Sequence, residues 1–325
     1  MNPRRIDRRS FLKEGTLVAL GAAGVISSQE THAQSPVPNS AGTAAPRLKA
    51  PPNACDCHHH IYDAVRFPQP AQATAPLQPN ARVDEYRLLQ RRLQTMRSVV
   101  VTPSAYDTDN RVTLDAIAQF GPGARGVAVV RPNVTDAELK ALADGGVRGI
   151  RFSLTTPSTA ATTIEMIEPL SKRVAARGWH VQINMTADQI AAAEALWNRL
   201  PSSIVFDHIG HISGPDGTRH PAYAVMRRLI DKGRTWVKLS VTYDNTTDGP
   251  PGYADVVALG QTLVKAAPER LVWGSNWPHP NESRKPDDAL LFDLMTRWAP
   301  EEAIRRRILV ENPALLYGFG NGSLV

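Results

Sequence analysis

Eight short apolar, β-branched runs, each followed by a longer segment of helical period, constrain this 325-residue chain more than any other feature. The runs fall at 54–60, 98–102, 126–131, 149–153, 180–184, 204–208, 236–240 and 271–274. Helical segments follow them at 84–96, 110–120, 136–144, 163–177, 187–200, 221–232, 253–267 and 287–298, with one more at 300–310. Strands that alternate with helices pair in parallel, because a crossover helix returns the chain to start the next strand in the same direction. Eight such units in this length predict the closed form, a (β/α)8 TIM barrel. The open, doubly wound alternative would put a glycine-rich turn after the first strand, and none is there. Helix starts are marked as well: Thr135 with Glu138 reads as a capping box, and Pro221 suits a first helical turn.

The densest chemistry lies in the first strand, Asp56-Cys57-His58-His59-His60. A period of two puts Asp56, His58 and His60 on one face and Cys57 and His59 on the other. Two imidazoles so placed can hold one metal ion or polarise one carbonyl oxygen. In a barrel of this kind the site lies at the C-terminal ends of the strands, and those ends are polar here. Strand four ends Arg151-Phe152-Ser153, strand five Gln182-Ile183-Asn184 and strand six Asp207-His208. Strand seven is followed by Tyr243-Asp244, and strand eight runs into Gly274-Ser275-Asn276-Trp277-Pro278-His279. Singly, each residue has an ordinary structural reading, such as a hydrogen-bonded core histidine or a paired arginine. Polar groups at buried strand ends are costly unless paired, so the ring of them points to a site.

The N-terminus is a separate unit. Arg8-Arg9-Ser10-Phe11-Leu12-Lys13, a weakly apolar run from Gly15 to Ile26 and the small residues at Thr31-His32-Ala33 read as a twin-arginine export signal, 1–33, cut near Ala33. The run is too short and glycine-rich to span a bilayer. The expected destination is the periplasm, with the twin-arginine machinery as a transient partner. Residues 34–52, rich in Pro, Ala and Ser, read as a flexible tether, 53–320 as the barrel domain and 321–325 as a tail. Five basic and three acidic residues leave with the signal, so the formal charge of +6 falls to about +4. No basic run remains to suggest nucleic acid; Arg305-Arg306-Arg307 sits on a late helix and reads as a solvated face. Cys55 and Cys57 are too close along a strand to bridge without strain, so the fold is not stapled by disulfides.

The Asp-x-His-x-His of strand one, Phe206-Asp207-His208-Ile209-Gly210, Trp236-Val237-Lys238-Leu239-Ser240 and Trp273-Gly274-Ser275-Asn276-Trp277-Pro278-His279 carry a resemblance. Together with Glu311-Asn312-Pro313-Ala314 and Tyr317-Gly318, they resemble the amidohydrolase superfamily over about residues 53–319. Within it the chain is similar to the amidohydrolase-related branch that contains 2-pyrone-4,6-dicarboxylate lactonase and D-galactarolactone isomerase. The superfamily's metal site uses the strand-one histidine pair, a lysine or glutamate on strand four, histidines on strands five and six and an aspartate on strand eight. Here the corresponding positions offer Arg151, Gln182 or Asn184, His208 and Asn276. Carboxamides are poor zinc ligands and a fixed guanidinium repels a cation, so the expectation is an enzyme without a cofactor. Zinc on His58, His60 and His208 is the alternative, as in a zinc-dependent hydrolase or decarboxylase.

Without a metal, the expected catalytic set is His58, His60 and His208, whose N–H groups would converge on a lactone carbonyl oxygen, together with Asn276. Arg151 offers a planar fork for a carboxylate, and Gln182, Asn184, Tyr243 and His279 complete the expected substrate contacts. The branch's lactonases use the strand-eight aspartate as the base that takes water's proton, and Asn276 cannot fill that role. Two functions therefore stand together: hydrolysis of a small acidic or polyhydroxylated lactone, which could borrow His279 or Asp244 as base, and isomerisation, in which a substrate hydroxyl is the nucleophile. The branch's further arginines after strands four and seven are replaced by Leu154-Thr155-Thr156-Pro157 and Val241-Thr242-Tyr243-Asp244. That disfavours a doubly anionic pyrone. A binding protein that kept the barrel and lost its chemistry is the remaining class, and the chain lacks the two-lobed pattern such binders usually show.

Overall fold

A computed structural model describes residues 36–320; the export signal and the five-residue tail lie outside the described residues. Eight strands form one sheet in sequence order, every neighbouring pair parallel: β1 (Cys55–His59), β2 (Arg97–Val101), β3 (Ala124–Ala128), β4 (Val147–Ser153), β5 (His180–Asn184), β6 (Ser203–Phe206), β7 (Thr235–Leu239) and β8 (Leu271–Trp273). The helices between them are α1 (Val83–Leu93), α2 (Arg111–Phe120), α3 (Asp136–Asp144), α4 (Ile167–Ala175), α5 (Ala187–Ala192), α6 (Glu194–Arg199), α7 (Pro221–Asp231) and α8 (Ala254–Ala266). After β8 come α9 (Asp288–Asp293), α10 (Met295–Trp298), α11 (Glu302–Arg306) and α12 (Asn312–Tyr317). This is the (β/α)8 barrel that the alternation predicts. Beyond β8 the ring closes onto β1: the Asn276 amide donates to the His58 carbonyl at 2.7 Å and the His60 amide to the Trp277 carbonyl at 2.8 Å.

Local chemistry explains the boundaries. Thr135 and Glu138 do form the reciprocal capping box, and Pro221 opens α7. The continuous helices expected over 187–200 and 287–298 are each divided in two. Strand six stops two residues early because His208, Ile209, Gly210 and His211 all take left-handed backbone angles, with φ of 54°, 56°, 65° and 50°. Positive φ is uncommon for non-glycine residues and costly for a β-branched one such as Ile209. Burying Ile209 completely anchors the turn that lifts His208 off the end of the sheet.

In β1 the simple alternation fails. The β1–β2 register shifts between Asp56 and His59, and a bulge of this kind lets two consecutive residues face the same side. Cys55 and Cys57 pack with Val99, Val101, Val127, Val205, Trp236 and Val272 in the lumen. His58 also points inward, onto Lys238. Asp56, expected on the His58 and His60 face, turns outward to the Tyr86 hydroxyl of α1 at 2.9 Å, and His59 stacks on the same tyrosine. Asp56 also accepts from the backbone N–H and hydroxyl of Ser275 at 2.9 and 2.6 Å, which ties β1 to the loop after β8. Gly274 permits that approach, since a Cβ there would lie 2.6 Å from the His58 Cβ. Both cysteines are free.

The segment read as a flexible tether is held against the barrel from residue 37 onward. Arg92 of α1, fully buried, donates to the Ala41 and Ala44 carbonyls at 2.9 and 2.8 Å and to Asp287 at 2.6 Å. The Trp277 indole N–H donates to the Pro38 carbonyl at 2.7 Å, and the Leu48 amide to Asp293 at 2.8 Å. Composition alone misses this because small residues and prolines lack side-chain signals, and most of the bonds are made by the segment's backbone.

Candidate active site

At the C-terminal mouth of the barrel a cleft of about 350 Å³ is lined by His60, Arg151, Asn184, His208, Asp244 and Asn276, among others. Beneath its floor sits one carboxylate. Asp207 follows β6 and is fully buried. Its Oδ2 accepts from Arg151 Nε and Gln182 Nε2, both at 3.0 Å, while Oδ1 lies 3.3 Å from His58 Nδ1 and 3.4 Å from Lys238 Nζ. Burial pushes the Asp207 carboxyl up, but Lys238, then His58 and Arg151, override it and hold it well below the usual carboxylate range. Lys238, on the lumen face of β7, also donates to Gln182 Oε1 at 2.8 Å and to the Cys57 carbonyl at 3.0 Å.

The three predicted histidines come together. His58 lies 4.9 Å from His60 and 4.8 Å from His208, ring centre to ring centre. Each commits its Nδ1 to the scaffold: His60 to the Val101 carbonyl at 2.7 Å, His208 to the Ser240 hydroxyl at 2.8 Å, and His58 to Lys238 at 3.2 Å. The Nε2 atoms are therefore left for the site. Because His60 donates from Nδ1, its neutral ring has only a lone pair at Nε2, and His58 Nε2–H fills it across 3.3 Å. Of the three imidazoles expected to donate to one oxygen, His60 is thus an acceptor and His58 lies beneath it. The cleft's donors are the terminal nitrogens of Arg151, which bond no described residue, and His208 Nε2 in the tautomer whose Nδ1 accepts from the Ser240 hydroxyl. Burial lowers the basicity of all three rings. His60 is pulled to about 3 by burial and the Arg151 charge, and His58 and His208 fall well below the ordinary value.

Asn276, at φ 65°, lines the cleft and donates from Nδ2 to the Tyr243 hydroxyl at 2.8 Å. Asn184 also lines it, bonded to Ser153 and to His211 Nε2. Three expected substrate contacts do not reach the cleft. Gln182 is fully buried between Asp207 and Lys238, because the lumen-facing register of β5 points it downward. His279 is fully buried behind Asn276 with both nitrogens engaged, to Tyr243 and to Asp288. Tyr243 stands between them and is not part of the cleft wall. Sequence reasoning missed Lys238 and His211. Lys238 was visible as a lone cation two residues from Trp236 in an otherwise apolar strand, while His211 owes its place to the left-handed turn.

A family model described as Amidohydrolase matches residues 55–319. The chain is 32% identical over 288 residues to the 2-pyrone-4,6-dicarboxylate hydrolase of Comamonas testosteroni, covering 85% of this chain and 94% of that protein. It is 33% identical over 277 residues to the D-galactarolactone isomerase of Agrobacterium fabrum, covering 84% and 94%. A solved apo structure from Agrobacterium tumefaciens superposes with a TM-score of 0.78 at 32% identity, covering 85% of this chain and 99% of that one. With the barrel, the strand-one histidines and the strand-six Asp-His in place, this chain is a member of the amidohydrolase family.

Proposed function

We propose that the protein acts on the ester bond of a small lactone, opening the ring with water. The observation that carries this reading is the pairing in one cleft of hydrogen-bond donors, His208 and Arg151, with weakly basic neighbours. Such a set stabilises charge developing on a carbonyl oxygen instead of abstracting protons. The named relatives, a lactone hydrolase and a lactone isomerase, support it. Water adds to the carbonyl carbon, the ring C–O bond breaks, and the departing oxygen takes a proton. Of the bases the sequence offered for hydrolysis, His279 is buried and Asp244 lines the cleft. His208→Ala is expected to lower kcat by about 10²–10³-fold, as loss of an oxyanion donor does; unchanged turnover of every lactone would remove that role.

A second reading, isomerisation, is favoured by Asn276. With Nδ2 given to Tyr243, its Oδ1 is an acceptor that can align a substrate hydroxyl for attack on the carbonyl, one ester bond forming as another breaks. Asn276→Asp would supply a proton acceptor and is expected to raise hydrolysis by about 10²-fold. No rise in ring opening, followed by NMR, would show that a base is not what the site lacks.

The donor set argues against a divalent metal. One ligand atom from each of His58, Asp207 and His208 lies within 4.8 Å of the others, close enough for a single ion. Yet that carboxylate is already shared by Lys238 and Arg151, and the strand-eight position is a neutral amide. A divalent charge would enter beside two buried cations with nothing left to balance it. A panel of aldonic, aldaric and pyrone lactones in ¹⁸O-water, with and without chelator, tests all of this. Label in the product marks hydrolysis, unlabelled ring migration marks isomerisation, and loss of either on chelation overturns the metal-free reading. The twin-arginine start supports delivery to the periplasm, which cell fractionation checks.

A further inference from the structure

Behind Asn276 runs a chain of four groups that the reaction outlined above does not use, fully buried at its far end and half-buried at Tyr243. Asp288 and His279 are fully buried, with Oδ2 and Nε2 3.1 Å apart. His279 Nδ1 lies 3.0 Å from the Tyr243 hydroxyl, which lies 2.8 Å from Asn276 Nδ2. The direction of every bond follows from the first. A carboxylate only accepts, so His279 carries a proton on Nε2, and as a neutral ring it has a lone pair at Nδ1. Tyr243 must then donate to Nδ1, leaving its oxygen to accept from Asn276. Burial keeps the Tyr243 hydroxyl protonated well above its usual range, so it has that proton to give. The Asn276 amide is left with one permitted orientation, Nδ2 inward and Oδ1 toward the cleft.

We propose that Asp288, His279 and Tyr243 are positioning residues that set the orientation of the Asn276 amide, and with it the hydrogen-bond polarity the site shows its substrate. Reversing the chain would aim two lone pairs at each other, at Asp288 and His279, where both residues are fully buried. A free asparagine could turn by half a circle and present a donor in place of an acceptor. The device fits a site whose nucleophile is a hydroxyl to be held by its proton. In that respect the inference rests on the lactone reading.

Two measurements test it, one of them independent of turnover. Nitrogen-15 NMR of the histidine-labelled protein should show His279 protonated at Nε2 with an unprotonated, hydrogen-bonded Nδ1. Asp288→Asn should move that proton to Nδ1 in part of the population. Finding Nδ1 protonated in the unaltered protein overturns the proposal, whatever the substrate proves to be. The second is a mutant cycle. Tyr243→Phe should lower kcat about tenfold, the worth of one buried hydrogen bond, with KM changed far less. In an Asn276→Asp background the same change should cost nothing or raise the rate, because a carboxylate has two like oxygens and no orientation to lose. Equal losses in both backgrounds would mean that Tyr243 merely supports the fold, and would sink the idea. An unaltered protein inert on every lactone would count against the lactone reading alone, and the NMR result would still decide the relay.

Discussion

Asp207→Asn is expected to cost about 3–5 kcal/mol of folding stability, the penalty for breaking a buried ion pair, and to leave no measurable turnover. The substitution keeps the shape and removes the charge. With its oxygen turned to accept from Arg151 Nε and Gln182 Nε2, the amide would aim its NH2 at the Lys238 ammonium, and two cations would be left without a counter-charge under the floor of the cleft. Arg151 would keep only a neutral acceptor in place of its ion pair, and His58 would lose the carboxylate beside its Nδ1. Urea denaturation measures the first effect and lactone turnover the second. An exposed pair such as Lys140–Asp144 serves as the control, and its removal should leave the midpoint where it was. A shift no larger for Asp207→Asn than for that control would contradict the view of this carboxylate as the site's foundation.

Stability should also fall steeply on mild acidification. Burial holds His58, His59 and His208 well below the ordinary imidazole range and His180 at about 3, as it does His60, with Lys238 adding to the effect at His58 and His180. These rings are neutral when folded and take up protons once the chain opens, with an unfolded value of about 6.5. Their contribution is complete above that value and is lost as pH falls toward the folded values. Each ring removes up to about 1.4 kcal/mol per pH unit below 6.5. Five acting together should erode much of a typical domain stability of about 5–15 kcal/mol as pH falls below 6.5, offset in part by Asp56, whose carboxyl burial raises to about 6. Denaturation curves collected between pH 7.5 and 5 check this, and a flat profile would mean that the rings are not buried as described.

The architecture was legible because parallel β/α units announce themselves twice, once in each periodicity. The residues at the mouth were legible for a related reason: His58, His60, Arg151, His208 and Asn276 all sit where strands end, and strand ends are where this fold keeps its chemistry. What stayed hidden depended on events no period encodes. A one-residue slip in β1 turned Asp56 outward and both Cys57 and His58 inward. The left-handed run after β6 brought His211 to the cleft, and a lone lysine in β7 became the partner of Asp207. Gln182 and His279 carry the right chemistry for substrate contacts, but their hydrogen bonds are spent below the surface.

Trp277 bonds Pro38 across 239 positions of sequence, and Ser275 bonds Asp56 across 219. Segments so remote meet only after almost everything between them has been made and gathered, the slowest kind of event in folding. A growing chain therefore carries the strand-one histidines long before anything can hold them, and a fragment clipped ahead of β8 would own the imidazoles yet lack their frame. Competence in this protein arrives at the end of its assembly and all at once.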